Sequence, residues 1–172
     1  MNGTRITEER LEDKVFLRED RMRYIKNTTS SRLSLLAILF NVLFFVSIYK
    51  SDVGSYYYTI LIGASILYNL VFMLLVFLSS EGVKQYKKNY SLLLALLGIG
   101  QIVRIFIIPM NAHTTEITVK KVTSIVMGDA QFIRTVIYLA VSGACCLAGA
   151  AINLKKSMTL KAHIASLGGQ SK

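Results

Sequence analysis

The chain predicts an all-α integral membrane four-helix bundle with both termini cytoplasmic, preceded by an N-terminal amphipathic cytoplasmic helix. Three observations carry that prediction. The 172 residues are 53% hydrophobic with a single proline. The apolar residues fall in blocks, Leu33 to Tyr49, Tyr56 to Ser79, Ser91 to Met110 and Phe132 to Ile152, and these contain only two charges, Arg104 and Arg134. The remaining Lys and Arg residues are distributed unequally between the segments that join the blocks.

At about 1.5 Å per residue each block crosses, or nearly crosses, a hydrocarbon core of about 30 Å. Such a core offers no water to free N–H and C=O groups, so the blocks must be helical. A soluble bundle of all-apolar core helices is the alternative, and it would leave no polar faces for water.

In chain order, residues 1–32 form the cytoplasmic charged helix. Thr7 is placed to cap it, Glu8 and Glu9 oppose its dipole, and Leu11, Val15, Met22 and Ile25 fall along one face. That face suits the inner leaflet, the underside of the bundle or a cytoplasmic partner. Its eight cations are offset by six acids, so alone it is a poor polybasic lipid anchor. The run Asn-Thr-Thr-Ser-Ser at 27–31 is expected to break it from the bundle.

The bundle occupies 33–153, with spans at about 33–49, 56–79, 91–110 and 131–153. The first external loop, Lys50 to Ser55, is only a turn, so the first two spans form a tight antiparallel hairpin. Tyr49, Tyr56, Tyr57 and Tyr58 mark the outer interface, and Tyr86 and Tyr90 the inner one. The third loop, about 111–131, carries Ile117, Val119, Val122, Ile125 and Val126, which suggest a short strand or helix on the outer surface. Residues 154–172 make a cytoplasmic basic tail.

Fifteen Lys and Arg lie in the N-terminal segment, the second loop and the tail, against Lys50, Lys120 and Lys121 on the other side. Counted this way, positive residues place both termini inside a cytoplasmic membrane, and the minimal loops suit a bacterial one. Topology and anionic headgroups account for the net charge of +10, so no nucleic acid is implied. A cleaved signal peptide is disfavoured by the charge-dense segment before the first block and by the lack of a small-residue cleavage pattern after it.

Arg104 is the sharpest single feature, since no acid occurs in any block and a guanidinium at the centre of a span costs about 2.5 to 3.5 kcal/mol on insertion scales. Gln101 is three residues earlier and shares its face. Arg134 lies near the outer end of the fourth block, where the two arginines could approach and attract an anion: a ligand, a lipid headgroup or a partner's acid. Asp129 and Glu116 are the local acids within reach. Snorkelling to the interface is the plainer reading, and it suits Arg134 better than the deeper Arg104.

Asn41, Asn69, Gln101 and Ser142 supply one polar residue per span at similar depth. Such a ring makes either a small-solute site or ordinary interhelical hydrogen bonds, and the second is favoured. Ala140, Ala144 and Ala148, with Gly143 and Gly149, give the fourth span a small-residue face for close helix packing, within the bundle or with another chain.

No catalytic centre, metal site or cofactor is expected. Cys145 and Cys146 are adjacent, deep in the fourth block and suited to apolar packing, and His113 and His163 fall on opposite sides of the membrane. No block contains an Asp or Glu to act as base or nucleophile, and the lone tyrosines Tyr68 and Tyr138 do not make a site.

Small multidrug exporters are similar in outline, but they use a glutamate in the first helix, and Leu33 to Tyr49 has none. Tetraspanin-like proteins carry a cysteine-bearing loop, which the third loop lacks. The expectation is a non-enzymatic accessory or assembly subunit of a larger membrane transport complex, its partners being the lipid bilayer and other membrane subunits or a second copy. The alternative is a small transporter or anion-binding protein, as one chain or a homodimer, with its site around Gln101 and Arg104.

Overall fold

The computed structural model describes residues 2–48, 56–114, 116–119, 122–125 and 127–169. Its elements are α1 (Asn2–Arg21), α2 (Thr28–Ile48), α3 (Tyr56–Lys84), α4 (Lys88–Ile107), α5 (Pro109–Thr114), β1 (Glu116–Val119), β2 (Val122–Ile125) and α6 (Asp129–Gly169). The molecule is an all-α bundle in which α2, α3, α4 and α6 are each long and apolar enough to cross a membrane. Helix α6 packs against α2 and α4, and α3 closes the ring by packing against the same two helices.

Burial is inverted relative to a soluble bundle. Leu67, Leu74, Leu92, Leu96 and Phe106 face outward, whereas Ser34, Asn41, Gln101, Ser142 and Asn153 are completely buried. Lipid tails are as apolar as leucine and impose no penalty on such an exterior, while polar groups find partners only inside. That distribution accounts for the fold as a multi-pass membrane protein.

Several boundaries differ from the sequence reading. Helix α1 begins at Asn2, so Thr7 is interior to it rather than its cap. The apolar face expected of it is not covered: Leu11, Val15 and Ile25 are exposed. Helix α1 packs on α6 through another contact, in which Phe16 meets the His163 ring edge-on at 5.0 Å and the Glu19 and Asp20 carboxylates lie 3.5 and 3.7 Å from its two ring nitrogens. The expected break at 27–31 lies earlier, in the turn through residues 22–27, because Asn27 and Ser30 bond to each other at the start of α2 instead of ending a helix.

Helix α6 runs through the expected tail as one piece of 41 residues, about 60 Å long at 1.5 Å per residue. No proline or glycine interrupts it between Ala150 and Leu167, so it continues well past a core of about 30 Å. Pro109 ends α4, since its ring cannot continue the hydrogen-bond ladder, and a short α5 follows. The third loop holds a two-stranded antiparallel hairpin that pairs Glu116 with Ile125 and Val119 with Val122. Tyr49, the turn Lys50 to Ser55, Lys120, Lys121 and Val126 lie outside the described residues.

Helix α3 ends in a Schellman arrangement: the N–H of Lys87 donates to Gly82 O at 3.3 Å and that of Tyr86 to Val83 O at 3.2 Å. The geometry demands a left-handed residue, ordinarily glycine, and Tyr86 occupies it at φ 56°. Gly82 is needed for a different reason: a Cβ there would lie 2.1 Å from the Tyr90 ring that packs on it. The interfacial tyrosines expected at this end are therefore half-buried against the bundle.

Candidate functional site: a caged arginine

Side chains at i, i+3 and i+4 share a helix face, and three such sets converge. Gln101 and Arg104 come from α4, Asn41 and Phe44 from α2, and Ser65, Tyr68 and Asn69 from α3. Arg104 donates from Nη1 to Asn69 Oδ1 at 2.7 Å and to Asn41 Oδ1 at 3.3 Å, and from Nη2 to Ser65 Oγ. Gln101 Nε2 donates to the same Asn41 oxygen at 3.0 Å. The guanidinium carbon lies 4.4 Å from the Phe44 ring centroid and 4.7 Å from that of Tyr68. Gly100 leaves room for Tyr68, whose hydroxyl would be 2.9 Å from a Cβ at that position.

Arg104 is 4% exposed, so its charge is sealed inside the protein and does not snorkel. Among the described residues no carboxylate pairs with it; its acceptors are neutral oxygens and aromatic faces. Each helix-to-helix hydrogen bond within a membrane is worth about 0.6 kcal/mol on average. A desolvated cation–π contact is worth about 2 kcal/mol. Together they match the insertion cost of about 3 kcal/mol, so the cage can hold the cation without an acid.

The cage is incompletely satisfied. Asn41 Nδ2, Asn69 Nδ2 and Arg104 Nε are buried donors without a partner, and Gln101 Oε1 is a buried acceptor without one. Asn41 and Asn69 both line a cleft of about 50 Å³ between α2 and α3. Organic ligands occupy pockets of about 300 Å³ or more, so this space is too small for one. No group in the cage is placed to act as a general base.

The other predicted residues go elsewhere. Ser142 is not part of the cluster; it donates across the bundle to Ala37 O at 2.9 Å, using a hydroxyl to pin α6 to α2. Arg134 is exposed and does not join Arg104: it lines a separate recess with Ser47, Asp129 and Gln131, near the opposite end of α2 from Asn27. Asp129 approaches His113 Nε2 at 3.8 Å. The small-residue face divides in two. Gly143 and Gly149 are buried, with would-be Cβ atoms 3.1 Å from Gly98 O and 3.3 Å from Ser30 O, whereas Ala140, Ala144 and Ala148 are exposed. The two cysteines are free, Cys146 buried and Cys145 half-buried, as apolar packing requires.

A second polar cluster binds the span ends on the side of the termini. Asn27 Nδ2 donates to Ser30 Oγ at 2.8 Å and Asn153 Oδ1 at 2.9 Å, and Asn153 Nδ2 donates to Ser91 Oγ at 2.7 Å and Lys87 O at 3.3 Å. The backbone N–H of Asn27 reaches Lys84 O at 3.0 Å, so α2, α3, α4 and α6 are joined at one level. Lys156 Nζ donates to Asn27 Oδ1 at 3.1 Å from the adjoining surface. Tyr86 lies beside it, and burial raises its hydroxyl above the ordinary tyrosine range.

Sequence reasoning missed Ser65, Phe44 and Tyr68 in the cage, and Asn27 and Asn153 in the tie. The first three were accessible through helical spacing from Asn41 and Asn69, the last two only through the tertiary contact. In three comparisons, no protein-family model, no curated protein and no solved structure matches this chain.

Proposed function

We propose that this chain is a small non-enzymatic protein of a cytoplasmic membrane, an accessory or assembly subunit that binds a larger complex, a transport system first, through helix contacts. The observation that supports this reading is the division of α6. Its glycines are consumed inside the bundle, while Ala140, Ala144 and Ala148 form an exposed row at every fourth residue. Small side chains on a lipid-facing surface allow another helix to approach backbone to backbone. The interior favours the same reading, because the cleft at Asn41 and Asn69 is too small for an organic solute.

Native purification tests it. The parent chain should bring down a stoichiometric membrane partner, and Ala144→Leu with Ala148→Leu should lose that partner while Leu74→Ala, on another exposed face, keeps it. A purified chain that transports a solute alone would overturn the assignment. We propose from the Lys and Arg distribution that both termini are cytoplasmic, and from the minimal loops that the membrane is a bacterial one. Cysteine introduced at Lys161 should react with an impermeant maleimide only after the inner face is opened.

A second reading, a small anion-binding protein, is favoured by the unpartnered donors Asn41 Nδ2, Asn69 Nδ2 and Arg104 Nε around one buried positive charge. Halide titration of the purified protein, followed by thermal midpoint, tests it; a shift absent from Arg104→Met supports the site, and no shift removes it.

A further inference from the structure

A basic recess adjoins the second polar cluster on its surface side. This recess, of about 550 Å³, opens where the end of α1, the turn through 22–27, the first residues of α2 and the middle of α6 meet. Among the described residues five cations line it, Arg18, Arg21, Lys26, Lys155 and Lys156, and no acid does. Met22, Ile25 and Ile152 provide an apolar portion of its wall. Thr28 and Thr29, also on the wall, form the first turn of α2, where the helix dipole is positive.

The two acids nearest these cations in sequence are engaged elsewhere. Asp20 pairs with Arg23 at 3.2 Å, and it and Glu19 face His163. Lys156 reaches only the neutral Asn27 oxygen. At the end of α1 folding thus separates the signs: Glu19 and Asp20 turn toward His163 of α6, and Arg18 and Arg21 join Lys155 and Lys156 at the level where α2 begins.

From this we infer that the recess is a binding site for the phosphate headgroup of an anionic phospholipid in the leaflet next to the termini. Depth selects the lipid. The recess lies at the boundary of the spanning segments, where headgroup phosphates reside, and its apolar residues meet the glycerol and first methylenes as the cations meet the phosphate. Its volume falls within the range of pockets that enclose a group of that size. The site is independent of the proposed accessory role.

Native mass spectrometry of the full-length protein, with phosphatidylglycerol or phosphatidylcholine added, provides the test. The parent should retain phosphatidylglycerol selectively. Each juxtamembrane cation contributes about five-fold in affinity, so Arg18→Gln with Arg21→Gln and Lys155→Gln should weaken retention on the order of a hundred-fold. A control that removes the same charge from exposed positions off the recess, Lys14→Gln with Arg32→Gln and Lys161→Gln, should retain the lipid nearly as well as the parent. Lys155→Glu alone, also exposed, provides a milder version should the triple variant lose its helical signal. Equal loss in the recess and control variants would reduce the effect to diffuse surface charge and overturn the proposal, as would equal retention of phosphatidylcholine. Displacement of the lipid by millimolar inorganic phosphate would reassign the recess to a soluble phosphate ligand.

Discussion

Removing the acceptors of Arg104 should damage this protein more than removing Arg104 itself. Asn69 Oδ1 and Asn41 Oδ1 accept from Nη1 at 2.7 and 3.3 Å, leaving Ser65 Oγ as the other acceptor. In Asn41→Leu with Asn69→Leu the guanidinium stays buried with one partner, and an uncompensated buried charge costs about 3 to 5 kcal/mol. Arg104→Met keeps the volume and the contacts to Phe44 and Tyr68 but removes the charge. It leaves Asn69 and Ser65 without their donor, about 1 to 3 kcal/mol, and relieves an insertion cost of about 2.5 to 3.5 kcal/mol. Asn41 still accepts from Gln101, but the cation–π attraction of about 2 kcal/mol goes with the charge, so the net change should be a loss of about 1 kcal/mol. The triple variant should recover most of the loss seen in the double asparagine variant. Equilibrium unfolding of the purified protein in bicelles measures all of these. If Arg104→Met were the most damaging by about 3 kcal/mol and the asparagine variants mild, the chain's own oxygens would not be holding the charge. A bound anion would then be what neutralises Arg104.

The remaining predictions concern packing and the second cluster. Asn153→Leu removes a group that bonds Asn27, Ser91 and Lys87 O, and should cost about 2 kcal/mol in the same unfolding assay, with faster hydrogen exchange at the starts of α2 and α4. Gly98→Val should destabilise by about 1 to 3 kcal/mol, because its Cβ would lie 2.9 Å from Leu147 Cγ and 3.1 Å from Gly143 O. By contrast, Gly63→Ala in α3 meets nothing within 4 Å and should raise stability by up to about 1 kcal/mol through helix propensity. Phe16→Ala removes the edge contact to His163, worth about 1 kcal/mol, so amide exchange in α1 should accelerate about five-fold while α2 and α4 remain protected.

Four blocks of about twenty apolar residues determined the helices, because hydrocarbon accepts no unpaired backbone. The same requirement made Asn41, Asn69, Gln101 and Arg104 stand out, and the structure does bring them together. Spacing could not say what would meet them. A serine and two aromatic rings closing on the guanidinium is a matter of which helices are neighbours, and Ser142, at similar depth on α6, was drawn to a carbonyl of α2 instead.

Arg134 shows the same limit: its block placed it in the membrane, but its rotation around α6 left it exposed, apart from Arg104. The alanines and glycines of α6 look alike in sequence and separate in space, since adjacent residues lie about 100° apart around the helix and one can face the bundle while the next faces lipid. Charge behaved likewise. Composition fixed the excess of cations and their concentration near the termini, but a linear count nearly cancelled the acids against the bases of residues 1–32. The docking of α1 on α6 sorted those at its end, Glu19 and Asp20 toward His163 and Arg18 and Arg21 toward Lys155 and Lys156. Sequence by itself therefore determined the solvent, the helices and the polar inventory of each span, because transfer free energy depends only on residue type. Tertiary structure alone decided which polar groups meet and which face lipid, because hydrogen bonds and packing depend on distances of a few ångströms between segments far apart in the chain.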